Sequence, residues 1–181
     1  MKRIAIPKQE LWDEEHERFI VVRPTILHLE HNLVSLYNWE SKYHKPLLSK
    51  NPMTMEERRD YVRFMTLNEI EDKNAYLALT KSQFDSIEEY INDPMTATTF
   101  AKTGESKKGS QFITAELLYC WMSSFNIPYE PCQHWHLNRL LTLIRVCSEE
   151  NKGPQKVSRG KAMEQQRALN EMRKAQLGTR G

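Results

Sequence analysis

The chain has 181 residues, with 26 Lys and Arg against 24 Asp and Glu, a formal net charge of +2 and 39% hydrophobic residues. That length fits one domain of roughly 100 to 150 residues with a tail, and the apolar fraction, below the roughly 45 to 50% of average globular chains, supports only a modest core. No stretch approaches the roughly 18 to 20 consecutive apolar residues of a membrane span, which excludes an integral membrane protein of the helical kind.

The basic start, residues 1–7, runs into Glu10, Asp13, Glu14 and Glu15 before any apolar run develops, which argues against a secretory signal. Short stretches at 4–6, 19–22 and 26–31, rich in Ile, Val, Leu and Phe and punctuated by Pro7 and Pro24, predict an antiparallel sheet of two or three strands. From Leu33 the period changes. Leu33, Leu36, Tyr37, Glu40 and Tyr43 or His44 recur at three and four, which predicts a helix that ends before Pro46.

Thr54 followed by Glu57, and Thr80 followed by Gln83, each have the form of a reciprocal cap, so two further helices start there. The second carries Phe84, Ile87, Tyr90 and Ile91 and should stop at Asp93, before Pro94. Residues 96–110 are small and polar without period and read as a linker between residues 1–95 and residues 111–150.

The 111–150 region is the most apolar part of the chain. Ile113, Leu117, Cys120, Trp121 and Ser124 share one helical face, residues 126–131 with Pro128 and Pro131 must break it, and Leu137, Leu140, Leu141, Ile144 and Cys147 form a second stripe. The pattern predicts a helical hairpin. Residues 151–181 then hold eight Lys and Arg against two acids, so a tail of charge +6 follows a body of charge −4. Ser158 can cap a last helix running to about Gln176, polar nearly all round and suited to solvent or a partner. The expected fold class is α+β: a small N-terminal antiparallel sheet, a mostly helical body and an extended basic C-terminal helix.

Cys132, His134 and His136, with Cys120 and Cys147, are the nearest approach to a metal site. On a helix Cys132 and His136 share a face while His134 points away, so only cysteines from apolar stripes could complete a tetrahedral set; core packing is the favoured reading, and no cofactor is expected. Cys120, among Leu117, Leu118 and Trp121, is expected to be a buried and inert thiol. No nucleophile elbow, phosphate loop, zinc-protease motif or dinucleotide fingerprint is present, and Asp13, Glu14 and Glu15 beside His16 read as a solvated turn, so the expectation is a protein that is not an enzyme. The tail lacks aromatic residues for base stacking, which disfavours nucleic acid as its partner. Trp39 with Tyr37 and Tyr43, and Trp121 with Trp135, are expected in cores, and any of them found at the surface would mark a binding patch.

Residues 31–42, His-Asn-Leu-Val-Ser-Leu-Tyr-Asn-Trp-Glu-Ser-Lys, and 93–99, Asp-Pro-Met-Thr-Ala-Thr-Thr, resemble a bacteriophage family. So do residues 135–145, Trp-His-Leu-Asn-Arg-Leu-Leu-Thr-Leu-Ile-Arg, and the ending from Arg167 to Gly181. The family they are similar to is the tail assembly chaperones of long-tailed double-stranded DNA phages, over residues 25–181. The resemblance implies a non-enzymatic protein of the host cell cytoplasm that coats the long, apolar, helical tape measure protein before tail-tube subunits replace it. It also implies other tail proteins as partners, self-association as a further option, and a frameshifted companion product. The residues expected to grip the partner are Trp121, Trp135, Leu137, Leu140, Leu141 and Ile144, with the reservation that a plain helical core would hold the same set. The rival readings are a virion subunit of tail or neck with a C-terminal arm, and a nucleic-acid-binding accessory protein.

Overall fold

The computed structural model describes residues 1–14, 16–49, 51–100, 112–151, 163 and 166–173. Four strands open the chain: β1 (Lys2–Ile6), β2 (Gln9–Asp13), β3 (Arg18–Val22) and β4 (Thr25–Leu29). Helices α1 (Leu33–Tyr43), α2 (Met55–Met65) and α3 (Lys81–Asn92) follow, with a 3-10 turn at Lys73–Tyr76 between the last two. Beyond them come α4 (Ala115–Ser124), the short α5 (Tyr129–Cys132) and α6 (Leu137–Glu150). The class is α+β, as the patterning predicts, but the described residues hold four strands in two sheets: β2 is the strand that patterning missed.

Those two sheets are halves of one interrupted ribbon. β1 pairs antiparallel with β4 and β2 with β3, and the pair of Ile6 with Thr25 is followed, three positions further along the ribbon on each strand, by the pair of Gln9 with Val22. Keeping that register puts Pro7 opposite Pro24. Neither proline has an N–H to give, so the ladder breaks where both strands lack a donor. The ribbon also exchanges faces there. Ile4, Ile6, Leu27 and Leu29 are buried on the first half, a phase that would turn Trp12, Phe19 and Val21 inward on the second; instead Val22 is buried and those three are exposed.

The two Thr caps form as expected. Thr54 Oγ1 accepts from the Glu57 amide at 3.2 Å while Glu57 Oε2 accepts from the Thr54 amide at 2.8 Å. Thr80 and Gln83 repeat the arrangement, and α3 ends at Asn92 as Pro94 requires.

Two cores result. The first sets the inner face of the sheets, with Leu27 and Leu29, against Tyr61, Val62 and Met65 of α2 and Phe84, Ile87 and Tyr90 of α3. The second sets Leu33 and Leu36 of α1 against Ala115, Leu118 and Met122 of α4 and Leu137, Leu140 and Ile144 of α6. Helix α1 serves both, because Trp39 turns to the first core and gives its indole N–H to the Glu57 carbonyl at 3.0 Å. The linker expected over 96–110 therefore joins two parts of one packed body; residues 96–100 hold no regular element and 101–110 lie outside the described residues.

Glu40 on α1 closes the junction. Its buried carboxylate accepts from the Ala115 amide at 2.7 Å, at the start of α4, and from the Leu47 amide at 2.9 Å. Burial raises its pKa, and the two amide hydrogen bonds oppose that rise.

The chain divides into two compact units, Met1–Cys147 and Ser148–Gly181. In the second, residues 163 and 166–173 are helical and exposed; the expected cap Ser158 and the expected end near Gln176 lie outside the described residues. Among the described residues, no helix is long and apolar enough to cross a membrane.

Candidate functional site

Six residues of the helical hairpin are the expected contact surface, and the structure divides them. Leu137 and Leu140 have no exposed area and Ile144 is 5% exposed, all three inside the second core. A side chain in that position offers nothing to a partner while the fold is intact. Trp121, Trp135 and Leu141 lie at the edge of this core, half-buried, and Trp135 carries the Arg139 guanidinium over its ring at 3.9 Å.

Helix α4 also turns differently from the expectation. The buried residues are Ala115, Leu118 and Met122, and not the face of Ile113, Leu117, Cys120, Trp121 and Ser124. Residues 117–122 run Leu-Leu-Tyr-Cys-Trp-Met, apolar nearly all round, so periodicity cannot choose a face and the Thr114 cap and Glu40 bond at the helix start set the rotation. Cys120 is consequently exposed, where a buried and inert thiol was expected; Cys132 is buried and Cys147 half-buried.

Cys132 and His136 do not share a helix. Cys132 closes α5, a turn intervenes, and His136 precedes α6. The His136 ring is committed at both nitrogens: Nε2 donates to the Tyr90 carbonyl at 3.0 Å and Nδ1 accepts from the Asn138 amide at 3.3 Å. His134 is exposed and lies 3.1 Å from Glu130. Among the described residues no group of three or more His, Cys, Asp or Glu is placed to hold a metal ion.

Polar residues cluster instead where the two cores meet. His31, 1% exposed, shares a 2.5 Å hydrogen bond with the Tyr61 hydroxyl, and its ring stands edge-on to His136 with centroids 5.2 Å apart. Burial, with His136 adding to it, lowers the His31 pKa to about 3, so this imidazole is neutral at physiological pH. Burial lowers His136 as well, against the bond to the Tyr90 carbonyl, and raises Tyr61 and Tyr90. The Tyr90 hydroxyl donates to Glu30 at 2.6 Å, and Glu30 also meets the Met1 amino group at 2.9 Å. These groups are satisfied by one another and lock the helices in register.

A cluster of exposed apolar side chains lies instead on the ribbon of β2 and β3. Trp12 and Phe19, paired across β2 and β3, are 52% and 67% exposed, with rings in edge contact at 4.9 Å, and Val21 beside them is 51% exposed. Glu10 stands on the same face opposite Val21. The turn below is fixed by Asp13, which bonds His16 at 2.9 Å and lies 3.6 Å from Arg18. On the other face Leu11 packs into the first core, and Gln9 gives its side-chain N–H to the Ala78 carbonyl at 3.1 Å. The ribbon is thus anchored on one face and displays aromatics on the other. A strand reading of residues 9–13, Gln-Glu-Leu-Trp-Asp, would have found it, but no periodic signal tells which face of so short a ribbon is covered. In the second unit Met163, Leu169 and Met172 are also more than half exposed.

Comparison of the chain with family models, with curated proteins and with solved structures returns no match.

Proposed function

We propose that this chain is a non-enzymatic assembly chaperone of a long-tailed phage, holding the tape measure protein in the host cell cytoplasm until tail-tube subunits replace it. The observation that carries the reading is the Trp12, Phe19 and Val21 face: three large apolar side chains held in the open on a ribbon whose other side is packed. Clustered exposed apolar residues mark interaction sites. The partner implied is long, helical and apolar on one face, and a shallow aromatic platform receives such a helix without demanding one sequence. Exposed methionines and a leucine on the basic tail helix, Met163, Met172 and Leu169, supply a second adaptable contact. Trp121, Trp135 and Leu141, half-exposed at the edge of the second core, keep a place in the contact; Leu137, Leu140 and Ile144 support it from inside.

Co-expression with the tape measure protein of the same phage, followed by pull-down and a solubility assay, tests this. A soluble complex is expected, and its loss in a Trp12→Ser, Phe19→Ser double variant that unfolds at the parent temperature. No complex, or a complex indifferent to that double change, would reject the reading. Mass spectrometry of purified particles should find the chain missing; stoichiometric presence would make it a virion subunit.

A further inference from the structure

A cavity of about 310 Å³ opens between α2, α3 and the segment joining α1 to α2. Its walls are mainly apolar, with Met53 from the joining segment, Val62 from α2, and Phe84 and Ile87 from α3. His31 and Tyr61, the buried bonded pair, also line it, and they are neutral polar groups at the most buried part of the lining. The dimensions lie at the small end of the range for pockets that take organic molecules, which begins at roughly 300 Å³.

Among the described residues, one cation lines this space. The Arg58 side chain is half-buried there, and among the described residues it makes neither a hydrogen bond nor an ion pair. Several cations nearby have partners, Lys42 and Arg63 on Asp60 and Lys45 on Glu57, while Arg59, which does not line the cavity, keeps a buried Nε without a hydrogen bond among the described residues. Glu88 also lines the cavity, but it is exposed to solvent and forms no ion pair with Arg58. A guanidinium is a planar fork of donors that fits a carboxylate through two parallel hydrogen bonds, and partial burial strengthens such a pair. Apolar walls, a neutral polar floor and one unanswered guanidinium define a ligand with one anionic end and an apolar body.

We propose that this cavity binds a small apolar monocarboxylate, its chain or ring against Val62, Phe84 and Ile87 and its carboxylate on Arg58. The site is separate in residues and in chemistry from the aromatic face of β2 and β3, so either can fail without the other.

Calorimetric titration of the full chain with octanoate, octanol and octylamine, three probes of one chain length, reads the preference. Octanoate should bind at a single site with a Kd on the order of 1 mM or tighter, and octanol at least about tenfold more weakly, with octylamine weaker again. Arg58→Gln should bring octanoate down to the level of octanol while leaving octanol unchanged, with the circular dichroism and unfolding temperature of the parent. Methyl NMR on the unmodified protein gives a reading that needs no variant: octanoate should shift the Val62 and Ile87 methyl signals and leave Val21 in place. Absence of binding, equal affinity for the three probes, a preference for octylamine, a preference that survives Arg58→Gln, or shifts centred on Val21 would each overturn the proposal.

Discussion

Two hairpins carry many of the large apolar residues of this chain, and they face them in opposite directions. The helical hairpin of α4 and α6 turns Leu118, Met122, Leu137, Leu140 and Ile144 into a core with α1, while the ribbon of β2 and β3 turns Trp12, Phe19 and Val21 into solvent. Residue type does not separate them; the number of covering layers does. A helix in a three-helix cluster has neighbours over most of its apolar stripe, whereas a two-stranded ribbon lying on a body has one face that nothing covers. The first hairpin makes stability, and the second is left to make contacts.

The largest test of the contrast is pH, acting where the cores meet. Unfolded, His31 titrates near 6.5; folded, it stays neutral down to about 3, so the unfolded state binds the extra proton across that window. Its contribution is whole above pH 6.5 and is lost as pH falls toward 3, a change on the order of 4 kcal/mol, with His136 adding in the same direction. Urea titrations at pH 7.5, 6, 5 and 4 should show this decline, flattened in His31→Gln; an equal slope in both proteins would remove His31 as its source.

Next in size is the core of the helical hairpin. Leu140→Ala deletes a fully buried side chain and should cost about 3 kcal/mol, visible as a lower urea midpoint with an unchanged slope. Should the cost be under about 1 kcal/mol, the second core is looser than its burial indicates. Glu40→Gln comes third, at about 2 kcal/mol, because an amide can accept from only one of the Ala115 and Leu47 N–H groups and turns a donor toward the other. Calorimetric unfolding of the variant checks it.

The smallest stability effect should come from the exposed ribbon. Phe19→Ser removes one cross-strand aromatic contact and should change stability by less than about 1 kcal/mol while abolishing the proposed capture of a tape measure protein. A loss as large as that of Leu140→Ala would mean that the aromatic face is part of the fold, and the contrast between the two hairpins would collapse.

How far these features were legible depends on whether the signal is local. The caps at Thr54 and Thr80 involve residues three apart, so they could be read from sequence and are present with both reciprocal bonds. The α6 stripe of Leu137, Leu140 and Ile144 alternates with polar neighbours, and its buried side follows directly. On α4, by contrast, nearly every residue from Leu117 to Met122 is apolar, and the side that patterning favours lies one position away from the buried one. Six candidate contact residues divided for the same reason: apolarity marks what can be buried, and not which of two apolar surfaces receives a partner inside the chain.

Composition and spacing by themselves determined the α+β class, the helix starts, the helical hairpin and the division of charge between body and tail, because each depends on neighbours along the chain. Only the tertiary structure decided that Pro7 meets Pro24 and the ribbon changes faces there, that α1 divides its side chains between two cores, and that Arg58 is left beside a cavity with no partner among the described residues. Those outcomes rest on packing between segments tens of residues apart, where one layer more or less over a surface sets whether the same side chain stabilises the fold or stays open to another molecule.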